Sequence, residues 1–352
     1  MTAKNIFFTL IIGFTLVTTG ILLFGGDPVR EEQHAVLERM RDDADSEMFD
    51  DTEEDGYIYE TDASGPEECS SLEEYDEEAG VCYFECDNEE ECAAIEADID
   101  EELGALEDEY TESAGSFKES EPGEGPSVVT SYQVNADETI TLKSGIQSPR
   151  HAEIWRLFAR ISPDSFTKAY VETFEIADDS SDDTLAYVHD EDGNALWSVG
   201  VNLGAFGQEG KREDVLTLVH EFAHIVTLNQ TQIVHAECGI TYDTGDGCAK
   251  AGSYLNTFVQ KFWPGQDRAL ALNGTNLFER SPQRFPTEYA ASSPEEDIAE
   301  SFALFVLGDG STVPQTIAEQ KVAFFKDYPE LVQLRASIRK GLGSIMLERK
   351  RR

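Results

Sequence analysis

The chain has 352 residues and a formal net charge of −45, from 71 acidic and 26 basic side chains. Its length allows one substantial domain with extensions. The acidic residues are concentrated: about 39 of them, against about four basic residues, lie between residues 27 and 125. Because a phosphate backbone is repelled by such a surface, we expect no nucleic-acid partner.

The first predicted element is an uncharged apolar run of 19 residues, 6–24, that follows Lys4. It is long enough to span a bilayer and longer than the core of a secretory signal, and no small-residue cleavage site or lipobox cysteine follows it. We therefore predict an uncleaved signal-anchor in residues 1–26, with a cleaved signal peptide as the alternative. Since the positive flank stays inside, the rest of the chain is expected outside the cytoplasm, in a single-pass protein of the cell membrane or a secreted one.

The acidic segment, residues 27–125, is rich in Glu, Asp, Ser and Gly, and most of it cannot bury a core. It predicts a solvated, partly disordered stalk in which residues 31–49 and 89–110 can form helices, followed by a linker at 119–127. An inhibitory propeptide, whose carboxylates shield a site before activation, is the alternative. The remaining stretch, 126–352, has the composition of an ordinary globular domain.

Six cysteines lie in the part of the chain predicted to be exported, where an even count indicates disulfides. Cys238 and Cys248 are ten residues apart and are predicted to pair, closing a turn-rich loop. Four more lie in the acidic segment and permit three connectivities: Cys69, Cys82, Cys86 and Cys92. A zinc site made from these four is the alternative, but they lack the paired C-x-x-C units of such sites.

Beyond residue 126, secondary structure is predicted from periodicity and turn signals. Strands are predicted at 169–176 and, as a hairpin around the "DEDGN" turn, at 185–189 and 196–202; helices are predicted at 151–161, 253–263 and 294–308 and from about Thr316 to Leu342. Strands therefore precede, and helices follow, an apolar helix around residues 216–229. This order predicts an α+β fold with a small mixed sheet.

The stretch "LTLVHEFAHIVTLN", residues 216–229, carries the main chemical motif. His220 and His224 are spaced i, i+4, so on a helix they leave one face and can reach a single ion. Glu221 follows the first histidine and can hold a metal-bound water as general base, which is the HExxH arrangement of zinc peptidases. The helix is apolar on both sides, so imidazoles there are costly unless they are paired or bind metal. The alternative is a chance pattern, with both histidines hydrogen-bonded in the core.

A catalytic zinc ion needs a third protein ligand and an open position for water. The extended metzincin pattern fails, because Thr227 and Gln230 stand where it requires glycine and histidine. His235 has no motif around it and is interpreted as a loop residue.

A second helix, "EEDIAESFALF", offers better candidates. Glu296 and Glu300 are spaced i, i+4, so both can face the HExxH helix. Ligation by Glu295 or Glu300 instead, or a purely capping role for Glu296 with Ser293 as N-cap, stays open at this point.

"HEFAH" followed by "EDIAESFA" resembles a known pairing of motifs. It is similar to the H-E-F-G-H and E-F-x-A-E-x-F of the anthrax lethal factor catalytic domain and the secreted Pro-Pro endopeptidases. It is also similar to E-D-x-A-E-x-F-A in a broad set of bacterial proteins assigned as zinc metallopeptidases. The resemblance covers roughly 214–229 and 285–308. Ala223 replaces the usual glycine, the spacer between the motifs is longer, and the acidic segment has no counterpart.

The resemblance to these gluzincins implies a zincin-like α+β domain that binds one Zn²⁺ per chain, with Glu296 as third ligand beside His220 and His224. It implies further that Glu300 orients His220. It also implies that Tyr289, seven residues before the third ligand, stabilises the oxyanion.

The activity that the resemblance implies is an endopeptidase acting on peptide or protein substrates, with Glu221 as general base. Zincins pair an extended substrate with a strand that precedes the metal helix, so the strand at 196–202 is expected to offer an exposed edge. The alternative is a non-catalytic surface or adhesive protein with a structural zinc site. Glu221 favours catalysis, because a structural site needs no base and closes its fourth position with a protein ligand. A peptidase held latent by the acidic segment is a further alternative.

Overall fold

The structure is a computed structural model that describes residues 56–62, 74–76, 81–86, 93–95, 97–105, 126–190, 196–207, 211–236, 238–308 and 313–350. The apolar run 6–24 and the helix predicted at 31–49 lie outside these residues, as do Cys69 and Cys92. Among the residues described, no helix is long and apolar enough to cross a membrane.

The secondary structure comprises ten strands and ten helices within the described ranges. The strands are β1 Gly56–Asp62, β2 Glu74–Asp76, β3 Val81–Cys86, β4 Val128–Val134, β5 Ile140–Ser144, β6 Val171–Ala177, β7 Ala186–Asp190, β8 Trp197–Asn202, β9 Ile233–Val234 and β10 Cys248–Ala249. The helices are α1 (helical residues 93–95 and 97–105), α2 Pro149–Ala159, α3 Asp164–Tyr170, α4 Lys211–Leu228, α5 Tyr254–Phe262, α6 Gly265–Ala271, α7 Leu277–Arg280, α8 Pro294–Leu307, α9 Ile317–Val322 and α10 Pro329–Lys350. Short 3₁₀ helices cover Pro282–Arg284, Tyr289–Ala291 and Ala323–Asp327.

A five-stranded mixed sheet in the order β5-β4-β6-β8-β7 is the centre of the fold. Strands β6 and β8 pair in parallel, and the other neighbours are antiparallel. Residues of β6 and β8 are buried almost throughout, which is typical of strands covered on both faces. The rings of Trp155 and Phe158 of α2 contact Phe174 of β6 and Phe222 of α4, respectively. The sheet and the helices are compatible with the predicted α+β class.

The strand order corrects one expectation. The strand predicted at 196–202 is β8, which lies between β6 and β7 and therefore has no exposed edge. Its partner β7 pairs with it from Ala186↔Val201 to Asp190↔Trp197 and forms the edge of the sheet. The order of the strands in the sheet differs from their order in the sequence. After β6 the chain crosses to the outer position as β7 and then returns as β8, which lies between β6 and β7.

The C-terminal region predicted to be helical, from about Thr316 to Leu342, is interrupted in the structure. The region from Thr316 to Leu342 is divided into α9, a 3₁₀ turn and α10, because Tyr328 is extended before Pro329. A residue before proline is disfavoured in the helical region, and proline itself suits the first turn of the next helix.

The acidic segment contains more structure than the predicted stalk. Strands β1–β3 form a three-stranded sheet, and α1 lies within the helix predicted at 89–110. The apolar side chains of Ile95, Ile99 and Leu103 are spaced four apart and are buried. Ile99 lies against Gly343 of α10, and Asp100 pairs with Arg339 at 2.6 Å. Because α1 buries this stripe, these residues belong to the core, and the assignment of the acidic segment as a stalk or propeptide stays a prediction.

Candidate metal centre

Helix α4 carries the HExxH residues on a rigid support. Its apolar side chains Val215, Leu218, Phe222 and Ile225 are fully buried. His220 and His224, one turn apart, project together towards helix α8 and keep less than a tenth of their surface exposed. The predicted helix around the motif is therefore present, and it holds both imidazoles at the floor of a cleft.

Helix α8 supplies the carboxylates that face α4. It begins after Ser293, whose Oγ accepts the Glu296 backbone N–H at 3.2 Å, and Pro294 occupies its first turn. The predicted N-cap is therefore present. The side chain of Glu296 points to the imidazoles: its Oε2 lies 3.1 Å from His220 Nε2 and 3.4 Å from His224 Nε2. Capping by Ser293 and approach of Glu296 to the histidines thus occur together.

Three atoms form a nearly equilateral triangle at this point. The two Nε2 atoms are 3.0 Å apart, and each lies 3.1 or 3.4 Å from Glu296 Oε2. Tetrahedral zinc with ligand bonds of about 2.0–2.1 Å separates its ligand atoms by about 3.3 Å. The donor set, two imidazole nitrogens and one carboxylate oxygen, is one that zinc takes in catalytic sites. Within the described residues, His220, His224 and Glu296 form the group that could hold a metal ion.

Glu300 lies one turn after Glu296, and its Oε1 is 2.7 Å from His220 Nδ1. Its other oxygen accepts the Thr287 hydroxyl at 2.6 Å, and Thr287 Oγ1 accepts the Ala290 backbone N–H. This chain of bonds places the proton of His220 on Nδ1 and leaves the Nε2 lone pair for a metal. The structure thus brings Glu300 to the position that the family resemblance implies. Thr287 was not predicted, and its loop position gives no sequence signal.

The two carboxylates also change the protonation of the site. Burial lowers the pKa of His220, but its hydrogen bonds to Glu296 and Glu300 outweigh burial and hold that pKa well above its usual value. Burial raises the pKa of Glu296, but the neighbouring histidines outweigh the effect of burial and hold that pKa well below its usual range. In the protein alone, the site therefore favours a proton on imidazole and a charge on Glu296, so a bound cation would displace a proton.

His224 differs from His220 in its support. Its Nδ1 is buried and has no hydrogen-bond partner among the described residues. The imidazole is fixed instead by packing and by its edge-on contact with the His220 ring, with centroids 4.7 Å apart. His224 thus offers Nε2 to the triangle without the carboxylate support that His220 receives.

Glu221 lies beside the triangle and lines the same cleft. Burial raises its pKa to about 7, and the neighbouring histidines and a hydrogen bond from the Val188 backbone of strand β7 oppose that rise. A carboxylate with a pKa near neutrality, next to the proposed ligands but outside the triangle, is suited to general-base chemistry.

Tyr289 stands at the start of a 3₁₀ helix between the two motifs. Its ring centroid is 5.7 Å from that of His220, and it lines the cleft with the proposed ligands. The structure therefore places all the residues of the predicted centre around one cleft.

The cleft has a volume of about 2020 Å³, larger than the 300–1,000 Å³ of pockets for small ligands. One wall is the edge strand β7, and another is the loop closed by the predicted Cys238–Cys248 disulfide, whose Cα atoms are 5.2 Å apart. The predicted loop residue His235 lies on this wall and is half exposed. Cys82 and Cys86 lie in β3, and the pairing of the four N-terminal cysteines stays a prediction.

Glu295, considered from sequence as an alternative ligand, turns away from the triangle to this wall. Its Oε2 accepts the hydroxyl of Tyr242, a residue of the disulfide loop, at 3.1 Å. Burial raises the pKa of Glu295 to about 7. Tyr242 was not predicted, because it lies 53 positions from Glu295 and no local pattern joins them.

No protein-family model matches the chain, and no curated protein matches it at a significant level. Among solved structures, it is similar to a protein of Bacteroides caccae described as a "putative zinc-binding metallo-peptidase", with 19% identity and a TM-score of 0.28. The alignment covers 55% of this chain and 76% of that chain. A similarity at this TM-score does not assign a fold or a function, so function has to be argued from the geometry of the site.

Proposed function

We propose that the chain is a zinc-dependent endopeptidase of gluzincin type, anchored in the cell membrane or secreted, with its catalytic domain outside the cytoplasm. The observation that carries the proposal is the triangle of His220 Nε2, His224 Nε2 and Glu296 Oε2 on the floor of the cleft, with Glu221 beside it. A structural zinc site has no use for that carboxylate, and it closes with a fourth protein ligand. The group found in the described residues offers three protein ligands.

In this proposal, His220, His224 and Glu296 hold one zinc ion. The ion would supply a Lewis acid that polarises the scissile carbonyl and acidifies the attacking water. Glu300 keeps the His220 proton on Nδ1, so that Nε2 presents its lone pair. The three side chains that would hold the ion lie on α4 and α8 and line the cleft.

Glu221 and Tyr289 move and stabilise charge on the substrate. Glu221 takes the proton of the attacking water and delivers it to the leaving amine. The Tyr289 hydroxyl donates to the oxygen that becomes negative in the transition state. Both side chains line the cleft beside the triangle, where a scissile bond would lie.

The outer edge of β7, rather than β8, is proposed to pair with an extended peptide. The same strand donates its Val188 backbone N–H to Glu221, so the edge and the general base adjoin each other. A peptide along β7 would therefore pass the zinc centre.

The experiment compares the full chain with its Glu221→Gln variant for zinc content and for cleavage of a mixed peptide library. The full chain is used because α1 packs against α10, so a fragment starting at 126 would lack part of the core. We expect about one zinc in both proteins and cleavage by the wild type only, with a loss of roughly 10²–10⁴ in rate in the variant. Zinc in both proteins and cleavage by neither would instead support the structural-zinc surface protein.

A further inference from the structure

Glu295 is the carboxylate of the cleft that the proposed reaction does not use. It precedes Glu296 on α8, and two hydroxyls fix it: Tyr242 donates to Oε2 at 3.1 Å, and the Ser293 side chain donates to the same carboxylate. Tyr242 is held in turn by the Cys238–Cys248 loop. The carboxylate therefore has a defined position on the cleft wall, one residue away from the proposed metal ligand.

No ion pair with a described residue neutralises this carboxylate. Among the residues that the structure describes, no Lys, Arg or His nitrogen lies within 4.0 Å of Glu295. Arg268 is on the same wall, but its guanidinium lies over the ring of Tyr242, 5.4 Å from the centroid. A partly buried carboxylate held by two neutral hydroxyls and its own backbone N–H is costly as an ion, and a cationic ligand would offset that cost.

The rest of the cleft has the same sign. Apart from Glu295 and the residues of the metal centre, five carboxylates line it against the two cations Lys250 and Arg268. They are Asp182, Asp183, Asp190, Asp243 and Asp246. Walls with this excess of negative charge raise the local concentration of cationic ligands. Glu295 is the one among the six whose hydroxyl partners hold it next to the proposed ligands.

We propose that Glu295 is a specificity residue whose carboxylate binds an ammonium group of the peptide substrate, either a protonated amino terminus or a lysine side chain. This inference rests on the proposed function, because it assigns a subsite of the same cleft. Ammonium suits the site better than guanidinium, since Tyr242, Ser293 and the Glu295 backbone N–H already use three of the about four acceptor positions of the carboxylate, and a forked pair needs two. An ammonium group, which is a compact point charge, needs only one acceptor position.

The test measures peptide binding separately from peptide cleavage. Calorimetry gives dissociation constants for the full chain carrying Glu221→Gln, alone and combined with Glu295→Gln. The matched control combines Glu221→Gln with Asp246→Asn, which removes the same charge from the disulfide loop. The peptides form pairs that differ only in one charge: free against acetylated amino terminus, and lysine against norleucine at each position near the centre.

We expect one pair to differ by about tenfold or more in affinity, as for a charge-assisted hydrogen bond, with the cationic member tighter. That ratio should fall to near one with Glu295→Gln and persist with Asp246→Asn. The pair that responds identifies the amino terminus or the lysine as the source of the ammonium.

The inference is overturned if no pair shows a preference for the cation, or if the preference survives both Glu295→Gln and Glu295→Ala in proteins that retain zinc. Since these are binding measurements, they stay informative if the wild type cuts none of the peptides. That outcome would reject the proposed function alone.

Discussion

Two neighbouring carboxylates on α8 show how a charge removed from bulk solvent is stabilised in different ways. Asp297, on the closed face of the helix, is fully buried and accepts from the Lys321 ammonium and from Trp263 Nε1 at 2.6 Å. The ammonium also lies 4.1 Å from the centroid of the Phe285 ring. This cluster contains its own cation and is closed to solvent, so it has no place for a metal.

Glu296, on the open face, meets two imidazoles and the cleft. No Lys or Arg nitrogen of the described residues lies within 4.0 Å of it. A buried carboxylate with its own ammonium stabilises the fold, whereas one that faces imidazoles and an open cleft is suited to an external cation. Asp297 and Glu296 are adjacent in the chain, yet the first pairs with a lysine of the core and the second faces the imidazoles of the cleft.

The largest effect is expected on the closed face. Replacement Lys321→Met leaves Asp297 buried without its cation and should lower the free energy of unfolding by about 3–5 kcal/mol. The double variant Asp297→Asn with Lys321→Met should recover much of this lost stability, because neither position then carries a buried charge. Denaturant unfolding of the zinc-loaded full chain measures both changes.

The same variants test whether the two faces are independent. Zinc content at saturating metal should stay at about one per chain in every Lys321 variant that folds. A loss of zinc affinity as large as the loss of stability would show that the Asp297 cluster belongs to the metal centre and that the two faces are not independent.

A smaller effect is expected from the support of the open face. Replacement Glu300→Gln keeps an oxygen near His220 Nδ1 but removes its charge, and it should weaken zinc binding by about 10–100-fold. Competition with a chromophoric chelator measures this affinity. Glu319→Gln is the matched control, because within the described residues the Glu319 carboxylate accepts from backbone N–H groups and a hydroxyl at the start of α9, and it is not part of the zinc triangle. Equal affinities in the two variants would remove Glu300 from the centre.

Much of this centre could be predicted because its members repeat at helical spacing. The pairs His220 and His224, and Glu296 and Glu300, are each i, i+4, and an α-helix fixes their common face whatever the rest of the fold does. Family resemblance added Tyr289, which the structure also brings to the cleft. Local geometry is sufficient where one element carries the pattern.

Contacts between elements could not be predicted in the same way. Lys321 reaches Asp297 across 24 positions, and no local pattern distinguishes it from a surface lysine. The order of β7 and β8 depends on a crossover, so the edge was assigned to the wrong strand. Strand β4 was not predicted, although its sequence "VVTSYQV" is rich in β-branched residues, which favour a strand.

The smallest effect compares two buried imidazoles. Among the described residues, the imidazole of His151 forms a hydrogen bond with the neutral Tyr132 hydroxyl, 2.7 Å from Nδ1. Burial lowers the pKa of His151, whereas hydrogen bonds to carboxylates raise that of His220. Below about pH 6.5 this histidine is protonated in the unfolded chain, whereas its lowered pKa keeps it neutral to lower pH in the folded chain. Its contribution to the free energy of unfolding is therefore fully present above that pH and is lost as the pH falls below it. The loss at pH 5.5 is at most about 1.4 kcal/mol, the limit for one imidazole that binds no proton when folded.

Unfolding free energies at pH 7.5 and 5.5 test this for the wild type and for His151→Gln, which does not titrate. The wild type should lose more stability than the variant between the two values, and the difference isolates His151 from the other groups that titrate. Equal losses would mean that His151 carries a proton in the folded chain as readily as in the unfolded one. A neutral partner would then be as effective as a carboxylate in retaining a charged imidazole, and the contrast with His220 would lose its physical basis.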